Sequence, residues 1–227
     1  MYCLWCDEEL IVHVNWLNLF QPESRMNVCD QCKKNFIKIE GKVCVKCGRP
    51  FERLKCHDCI RWDEFYDGDD PLLKNVSLYM YNEFMKEVIT RWKYRGDYII
   101  GELFRLAFLA KFKEQYLSLL KDVVVVPIPV SRARAMKRGF NQANMLASFL
   151  SSTVKDVLVQ KHLEKQSKKT RIERMTTINP FSITEPINKS VVLVDDIYTT
   201  GRTLRHAASL LKNNGCPEVY AYTLIRS

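Results

Sequence analysis

The chain has 227 residues, 47% of them hydrophobic and 27% charged, with nine cysteines and a formal net charge of +9. That length buries a full core and leaves room for a small extra module. No stretch approaches the roughly 18 apolar residues of a spanning helix, and the start, Met1-Tyr2-Cys3-Leu4-Trp5-Cys6-Asp7, lacks the basic and apolar regions of a signal peptide. The expectation is a chain that is neither membrane-spanning nor exported, located in the cytoplasm.

Eight of the cysteines fall into Cys-x-x-Cys pairs: Cys3/Cys6, Cys29/Cys32, Cys44/Cys47 and Cys56/Cys59. Cys216 stands alone. Such spacing suits metal rather than disulfides. Each pair presents two thiolates to one tetrahedral ion, so two pairs complete a four-cysteine site. The simplest pairing is sequential, Cys3, Cys6, Cys29 and Cys32 on one ion and Cys44, Cys47, Cys56 and Cys59 on a second. A cross-braced pairing, first with third and second with fourth, stays open. Eight ligands close both sites, so two structural zinc ions are expected to replace a core too small to fold alone. His57, between two ligands, is expected to be exposed. This module covers residues 1–62, and an acidic stretch with Gly and Pro, residues 63–74, reads as a solvated linker.

The charge is unevenly placed. Residues 1–70 hold 10 Lys/Arg against 13 Asp/Glu, a net of −3, which leaves +12 for residues 71–227. The positive field, and with it any anionic partner, belongs to the larger C-terminal part.

From residue 75 the pattern becomes regular. Residues 76–81 read as a strand, and Asn82 caps a helix that buries Phe84, Val88, Ile89 and Trp92 and ends near Gly96. Lys93 and Arg95 at its end either reach a ligand or are solvated. One long helix is expected over residues 98–120. Residues 123–126 form a central strand ending in Pro127-Ile128-Pro129, and a loop with Ser131, Arg132, Arg134, Lys137 and Arg138 follows. Four cations within seven positions suit a ligand with several negative charges. Asn141 caps a helix with Met145, Leu146, Phe149 and Leu150 inward. Residues 156–160 read as the next strand. The charged stretch 161–179 lacks apolar periodicity and reads as a long loop.

Val191-Val192-Leu193-Val194 then reads as a strand buried on both faces of a parallel sheet. Residues 202–214 read as a helix with Leu204, Ala207, Ala208 and Leu211 on one face, stopping at Gly215. Asp195, Asp196 and the turn Thr199-Thr200-Gly201 lie between them, at the kind of junction where open α/β sheets bind ligands. Backbone amides at the helix start, with the hydroxyls of Thr199, Thr200 and Thr203, suit a phosphate, and Gly201 lets the backbone approach closely. Carboxylates repel phosphate but accept from vicinal sugar hydroxyls. Asp195 and Asp196 thus fit a ribose, and the turn fits its 5-phosphate. Residues 219–225 form a further strand beside this one.

The run from Val191 to Leu204 resembles the PRPP-binding motif of type I phosphoribosyltransferases. With Arg138-Gly139-Phe140-Asn141-Gln142, Pro127-Ile128-Pro129 and the four cysteine pairs, essentially the whole chain resembles the ComF family. The resemblance implies a type I phosphoribosyltransferase-like α/β domain over residues 75–227, a parallel sheet with helices on both faces. It implies PRPP with Mg²⁺ as ligand, held by Asp195, Asp196, Thr199, Thr200, Gly201, Arg202 and Thr203, with Ser131 and Arg132 at the diphosphate. It makes 161–179 a flap that closes over PRPP, with Gln166, Arg174, Asn179 and Phe181 approximating the family pattern.

The resemblance also implies a role in DNA uptake, with single-stranded DNA and a ComFA-type DNA helicase as partners. Arg134, Lys137, Arg138, Lys165, Lys168, Lys169, Arg171 and Arg174 are then the candidate DNA contacts, and the chain works at the inner face of the membrane. Two other function classes stay open: an enzyme that phosphoribosylates an unknown acceptor, and a PRPP sensor without turnover.

Overall fold

The computed structural model describes residues 2–10, 27–94, 97–116, 123–150, 154–161 and 179–227. Its centre is a four-stranded, all-parallel sheet in the order β1-β6-β5-β2. The strands are β1 (Lys74–Met80), β2 (Val124–Pro127), β5 (Val191–Tyr198) and β6 (Val219–Arg226). Val191 to Val194 are all fully buried, as a strand covered on both faces requires.

One face carries α3 (Glu83–Tyr94), α4 (Arg105–Tyr116) and α6 (Gln142–Leu150), which bury Trp92, Phe108 and Leu146 against Val192, Val194 and Tyr222. The other face carries α7 (Arg202–Lys212), which packs Leu204, Ala207, Ala208 and Leu211 against Val191, Leu193 and Ala221. The chain leaving β5 crosses to β6 through α7 on one face, whereas the chain leaving β2 runs through a short helix into α6 on the opposite face. The crevice beyond the C-terminal ends of β5 and β2 is therefore the switch point of the sheet.

The cysteine-bearing segments, with the short helices α1 (Asp30–Lys34) and α2 (His57–Phe65), cover the outer edge of β1. The Ile39 amide donates to the Leu78 carbonyl at 3.0 Å, and the Asn75 amide donates to the Lys46 carbonyl at 2.7 Å. An edge strand capped in this way offers no free ladder to another chain. Gly48 makes the second approach feasible, since it sits at φ +71° and a Cβ there would lie 3.0 Å from the Asn75 carbonyl. Trp5 and Phe36 meet Phe84 edge to face, at 5.2 and 5.0 Å, which fastens the first cysteine loop to α3.

Four expectations need correction. The span from Tyr98 onward is a 3₁₀ segment (Tyr98–Leu103) followed by α4 rather than one helix, and its buried Gly101 packs so closely that a Cβ would come 2.4 Å from the Met145 sulfur. The cations at 132–138 lie on a helix, α5 (Arg132–Arg138), capped by Ser131, whose hydroxyl accepts from the Arg134 amide at 3.4 Å. The strand β3 (Leu158–Gln160) stays out of the parallel sheet and pairs antiparallel with an unforeseen strand, β4 (Phe181–Ile183).

The fourth correction concerns the acidic stretch after α2, which is not wholly solvated. Asp70 is 5% exposed and accepts both arms of the buried Arg205 guanidinium, at 3.1 and 2.8 Å. Breaking a buried pair strands one charge, so Arg205→Met is expected to cost about 3–5 kcal/mol of unfolding free energy. The double change Arg205→Met, Asp70→Leu should cost distinctly less, and urea denaturation of the two variants checks it.

Candidate functional site

β5 runs further than its apolar residues suggest. Asp195 and Asp196 still lie within the strand, with Asp195 opposite Thr223, and the strand ends only at Tyr198. The turn 199–201 then leads into α7, with Gly201 at φ +77°. A side chain at position 201 would collide with the Tyr198 hydroxyl at 2.1 Å and Arg205 at 2.5 Å, so glycine is required on both steric and backbone grounds. Thr199, Thr200 and Thr203 are exposed, leaving their hydroxyls accessible from outside. Arg202 points its Nε at His206 Nε2, 3.3 Å away.

The acid pair faces a set of groups drawn from three helices. Lys93 of α3 forms an ion pair with Asp196, and both side chains are 13% exposed. Lys93 is thus committed to the acid pair rather than solvated, while Arg95 lies outside the described residues. Burial pushes the Asp195 carboxyl up to about 7, the neighbouring Asp196 charge adds to the rise, and Lys93 and Arg138 partly oppose it. The Asp196 amide donates to Asp195 Oδ1 at 2.8 Å. Two adjacent carboxylates at one strand end are electrostatically unfavourable until cations or hydroxyl donors surround them.

Two further groups contact Arg138 and were given no ligand role from sequence, although Gln142 closes the run 138–142. Gln142, at the start of α6, is 1% exposed and accepts from Arg138 Nη1 at 3.2 Å, while its Nε2 has no hydrogen-bond partner among the described residues. A buried amide donor without a partner is costly in a closed protein and suits a site that receives an acceptor. Tyr94, at the end of α3, is 58% exposed, and the Lys137 and Arg138 cations approach its ring at 5.9 and 5.4 Å. Asn141 caps α6, with its Oδ1 accepting from the Ala143 amide at 3.0 Å. Asn179 donates to the His206 carbonyl at 2.6 Å and Phe181 is buried, so both serve packing.

Ser131 is used as a cap, and Arg132 and Arg134 are exposed. Lys165, Lys168, Lys169, Arg171 and Arg174 lie outside the described residues, as does Gln166 and nearly all of the expected flap.

The cysteines gather sequentially. The sulfurs of Cys3, Cys6, Cys29 and Cys32 all lie within 4.8 Å of one another, as do those of Cys44, Cys47, Cys56 and Cys59. The Cys6–Cys29 and Cys47–Cys56 separations are 3.7 and 3.6 Å. Four thiolates at about 2.3 Å from a tetrahedral ion stand about 3.8 Å apart, so both clusters fit one metal ion each. Backbone amides support the thiolates: Cys29 N–H points at Cys3 Sγ, 3.3 Å away, and Cys56 N–H at Cys44 Sγ, 3.4 Å away. In the second cluster, all four cysteines are at most 1% exposed. His57 is exposed and is not a member.

Residues 102–227 match the family described as phosphoribosyl transferase domain. Over its full length the chain is 38% identical to the competence protein ComFC of Bacillus subtilis (strain 168), covering 95% of that protein. It is 30% identical to the competence protein ComFC of Streptococcus pneumoniae (strain ATCC BAA-255 / R6), with both chains fully covered. Over 88% of its length it is 25% identical to the DNA utilization protein YhgH of Escherichia coli (strain K12), covering 90% of that protein.

The raised Asp195 value has a consequence for stability. The folded state holds this proton up to about pH 7, whereas an ordinary aspartate releases it near 3.8, so stability falls as pH rises through that window. Asp195→Asn keeps the acceptor for the Asp196 amide and removes the charge. Its Tm at pH 8 is expected to exceed that of the wild type by about 2–4 °C per kcal/mol recovered. The gain should shrink at pH 5, inside that window, and vanish only below about pH 3.8, as scanning calorimetry at descending pH values would show.

Proposed function

The chain belongs to the ComF family of phosphoribosyltransferase-domain proteins, and from that membership we propose that it serves DNA uptake in natural transformation, binding PRPP with Mg²⁺ and contacting single-stranded DNA. The observation that carries the ligand reading is the junction of β5 and α7. A paired carboxylate and a threonine-rich, glycine-hinged helix start stand next to each other at the switch point of a parallel sheet. Asp195 and Asp196 accept from the ribose hydroxyls, and the turn 199–203 receives the 5-phosphate. Ser131 and Arg132 stand on the β2 side for the diphosphate. Lys93 neutralises half of the acid pair, and Mg²⁺ bound with the ligand would add positive charge beside the other half.

If the ligand is turned over, pyrophosphate leaves the anomeric carbon as the acceptor bonds to it. The chain's part is then positioning and charge stabilisation. Both cysteine clusters hold Zn²⁺ in this reading, because an all-thiolate tetrahedral set with no open position selects it for a structural role.

The DNA contact runs along α5. Arg132, Arg134, Lys137 and Arg138 carry four positive charges with no acid in the helix, and Tyr94 offers an exposed ring beside two of them. Cations that track phosphates and an aromatic that stacks a base are the two components of single-strand binding. Lys165, Lys168, Lys169, Arg171 and Arg174 extend the same charge along the chain. A ComFA-type helicase is the partner that would hand over the strand, at the inner face of the membrane. Among the described residues no helix is long and apolar enough to cross a membrane, so attachment there would be peripheral.

Calorimetry is expected to detect PRPP binding only with Mg²⁺ present, and the double change Asp195→Asn, Asp196→Asn to abolish it. Absence of any heat or thermal shift from PRPP with the wild type would remove this reading of the crevice. Single-stranded DNA binding should weaken with salt. Arg134→Ala, Lys137→Ala should flatten the log–log salt slope by about 1.4, two contacts at about 0.7 each. Native mass spectrometry should find two zinc ions per chain.

A further inference from the structure

The final residue of β6 is buried beneath the turn at 199–201. Arg226 is 1% exposed. Its Nη1 donates to the carbonyls of Tyr198 and Thr199, at 3.1 and 3.0 Å, and its guanidinium lies 4.7 Å from the centre of the Tyr198 ring. Its Nη2 faces Cys47 Sγ at 3.7 Å. Besides these it contacts the Ser227 carbonyl, and among the described residues no carboxylate side chain is a partner. One planar group therefore reaches from a sulfur of the second cysteine cluster to the two carbonyls where β5 becomes the turn.

The next carbonyl is held from the same side. Trp62 Nε1 donates to Thr200 O at 2.9 Å. Trp62 belongs to α2, which contains Cys59 and begins one residue after Cys56. Three consecutive carbonyls, those of Tyr198, Thr199 and Thr200, thus accept from Arg226, which touches Cys47, and from Trp62, three residues after Cys59. Fixing those carbonyls fixes the peptide planes between them, and so the direction of the amides that follow. The first cluster makes its contacts elsewhere, through Trp5 to Phe84 and from Arg91 to the Trp5 carbonyl at 3.3 Å.

A buried guanidinium needs a counter-charge. Four thiolates around one divalent ion carry a net charge of −2, so a loaded second cluster supplies it. A lysine could not replace Arg226, because an ammonium is a single point whereas the guanidinium fork serves two carbonyls and a sulfur at once.

We propose that Arg226 is a positioning residue for the ligand turn and that metal in the Cys44/Cys47/Cys56/Cys59 cluster sets the turn's shape, and with it the affinity for a sugar phosphate. The affinity half of this rests on the reading of residues 199–203 as the phosphate-binding turn. The shape half does not.

The test uses the full, metal-loaded chain with two readouts: hydrogen exchange of residues 199–204, and PRPP affinity in the presence of Mg²⁺. Arg226→Gln with its metal content intact should speed exchange at 199–204 and weaken PRPP by about tenfold, a size typical of coupled sites. Trp5→Ala, which loosens only the docking of the first cluster, should leave both readouts within about twofold, well below such coupling. Unchanged exchange at 199–204 in Arg226→Gln would overturn the proposal.

If Arg226→Gln does not fold, the wild type decides by linkage. Saturating PRPP should slow the loss of one of the two metal ions to a zinc-selective chelator by a similar factor, and exchange at 199–204 should rise only as that ion leaves. Equal behaviour of the two ions would overturn the proposal. Faster exchange in Arg226→Gln, with no PRPP binding to the wild type at any metal content, would leave Arg226 as the strut and remove the sugar-phosphate reading instead.

Discussion

The junction of β5 and α7 depends on a short turn gripped from beneath by two buried guanidinium groups. Arg205 bonds the Tyr198 hydroxyl at 2.9 Å and pairs with Asp70, while Arg226 bonds the carbonyls of Tyr198 and Thr199. Gly201 makes the grip feasible, because the space a Cβ would need is filled by the Tyr198 hydroxyl and Arg205. The upper surface of the turn is left exposed. A loop whose underside is fully bonded keeps its shape without a ligand, and such preorganisation reduces the ordering cost of binding.

The N-terminal module is part of this arrangement. Its first cluster fastens to α3 through an aromatic contact, whereas its second shares a hydrogen-bonded network with β1 and β6. Asn75 donates to the Cys47 carbonyl at 3.1 Å and to Ser77 at 2.9 Å, and Ser77 in turn meets Thr223 at 2.7 Å. Such a buried polar set is stable because each member has a partner, and it defines one register between the module and the sheet. The division of charge fits this arrangement. The acidic module sits over the β1 edge and beneath the turn, and the basic helix α5 stands beside the crevice.

The acid pair works against the fold that carries it. Asp195 is half-buried beside a second carboxylate, and both effects raise its pKa by disfavouring the charged form. Lys93 and Arg138 set positive charge against the pair, and Arg138 in turn bonds Gln142, whose own amide is unpartnered among the described residues. Sites that hold such unresolved electrostatics are where a ligand's own groups complete the structure.

The local parts of this protein were legible in its sequence. Apolar runs identified β2, β5 and β6, helical periodicity identified α3 and α7, and cysteine spacing identified the two four-cysteine clusters, because each signal is carried by residues a few positions apart. The motif at 195–203 was legible for the same reason, being one strand, one turn and one helix start. Partnerships between distant residues were not. Arg205 meets Asp70 across 135 positions, Trp62 meets Thr200 across 138 and Arg226 meets Cys47 across 179. A trace of them existed, since Arg205 interrupts the apolar face of α7 and Arg226 ends an apolar strand, and a charge in either place calls for a buried partner. Which partner it found depended on where the cysteine module docks. That docking is decided by shape and hydrogen bonding between surfaces far apart in the chain, a tertiary property that no local pattern of residues encodes.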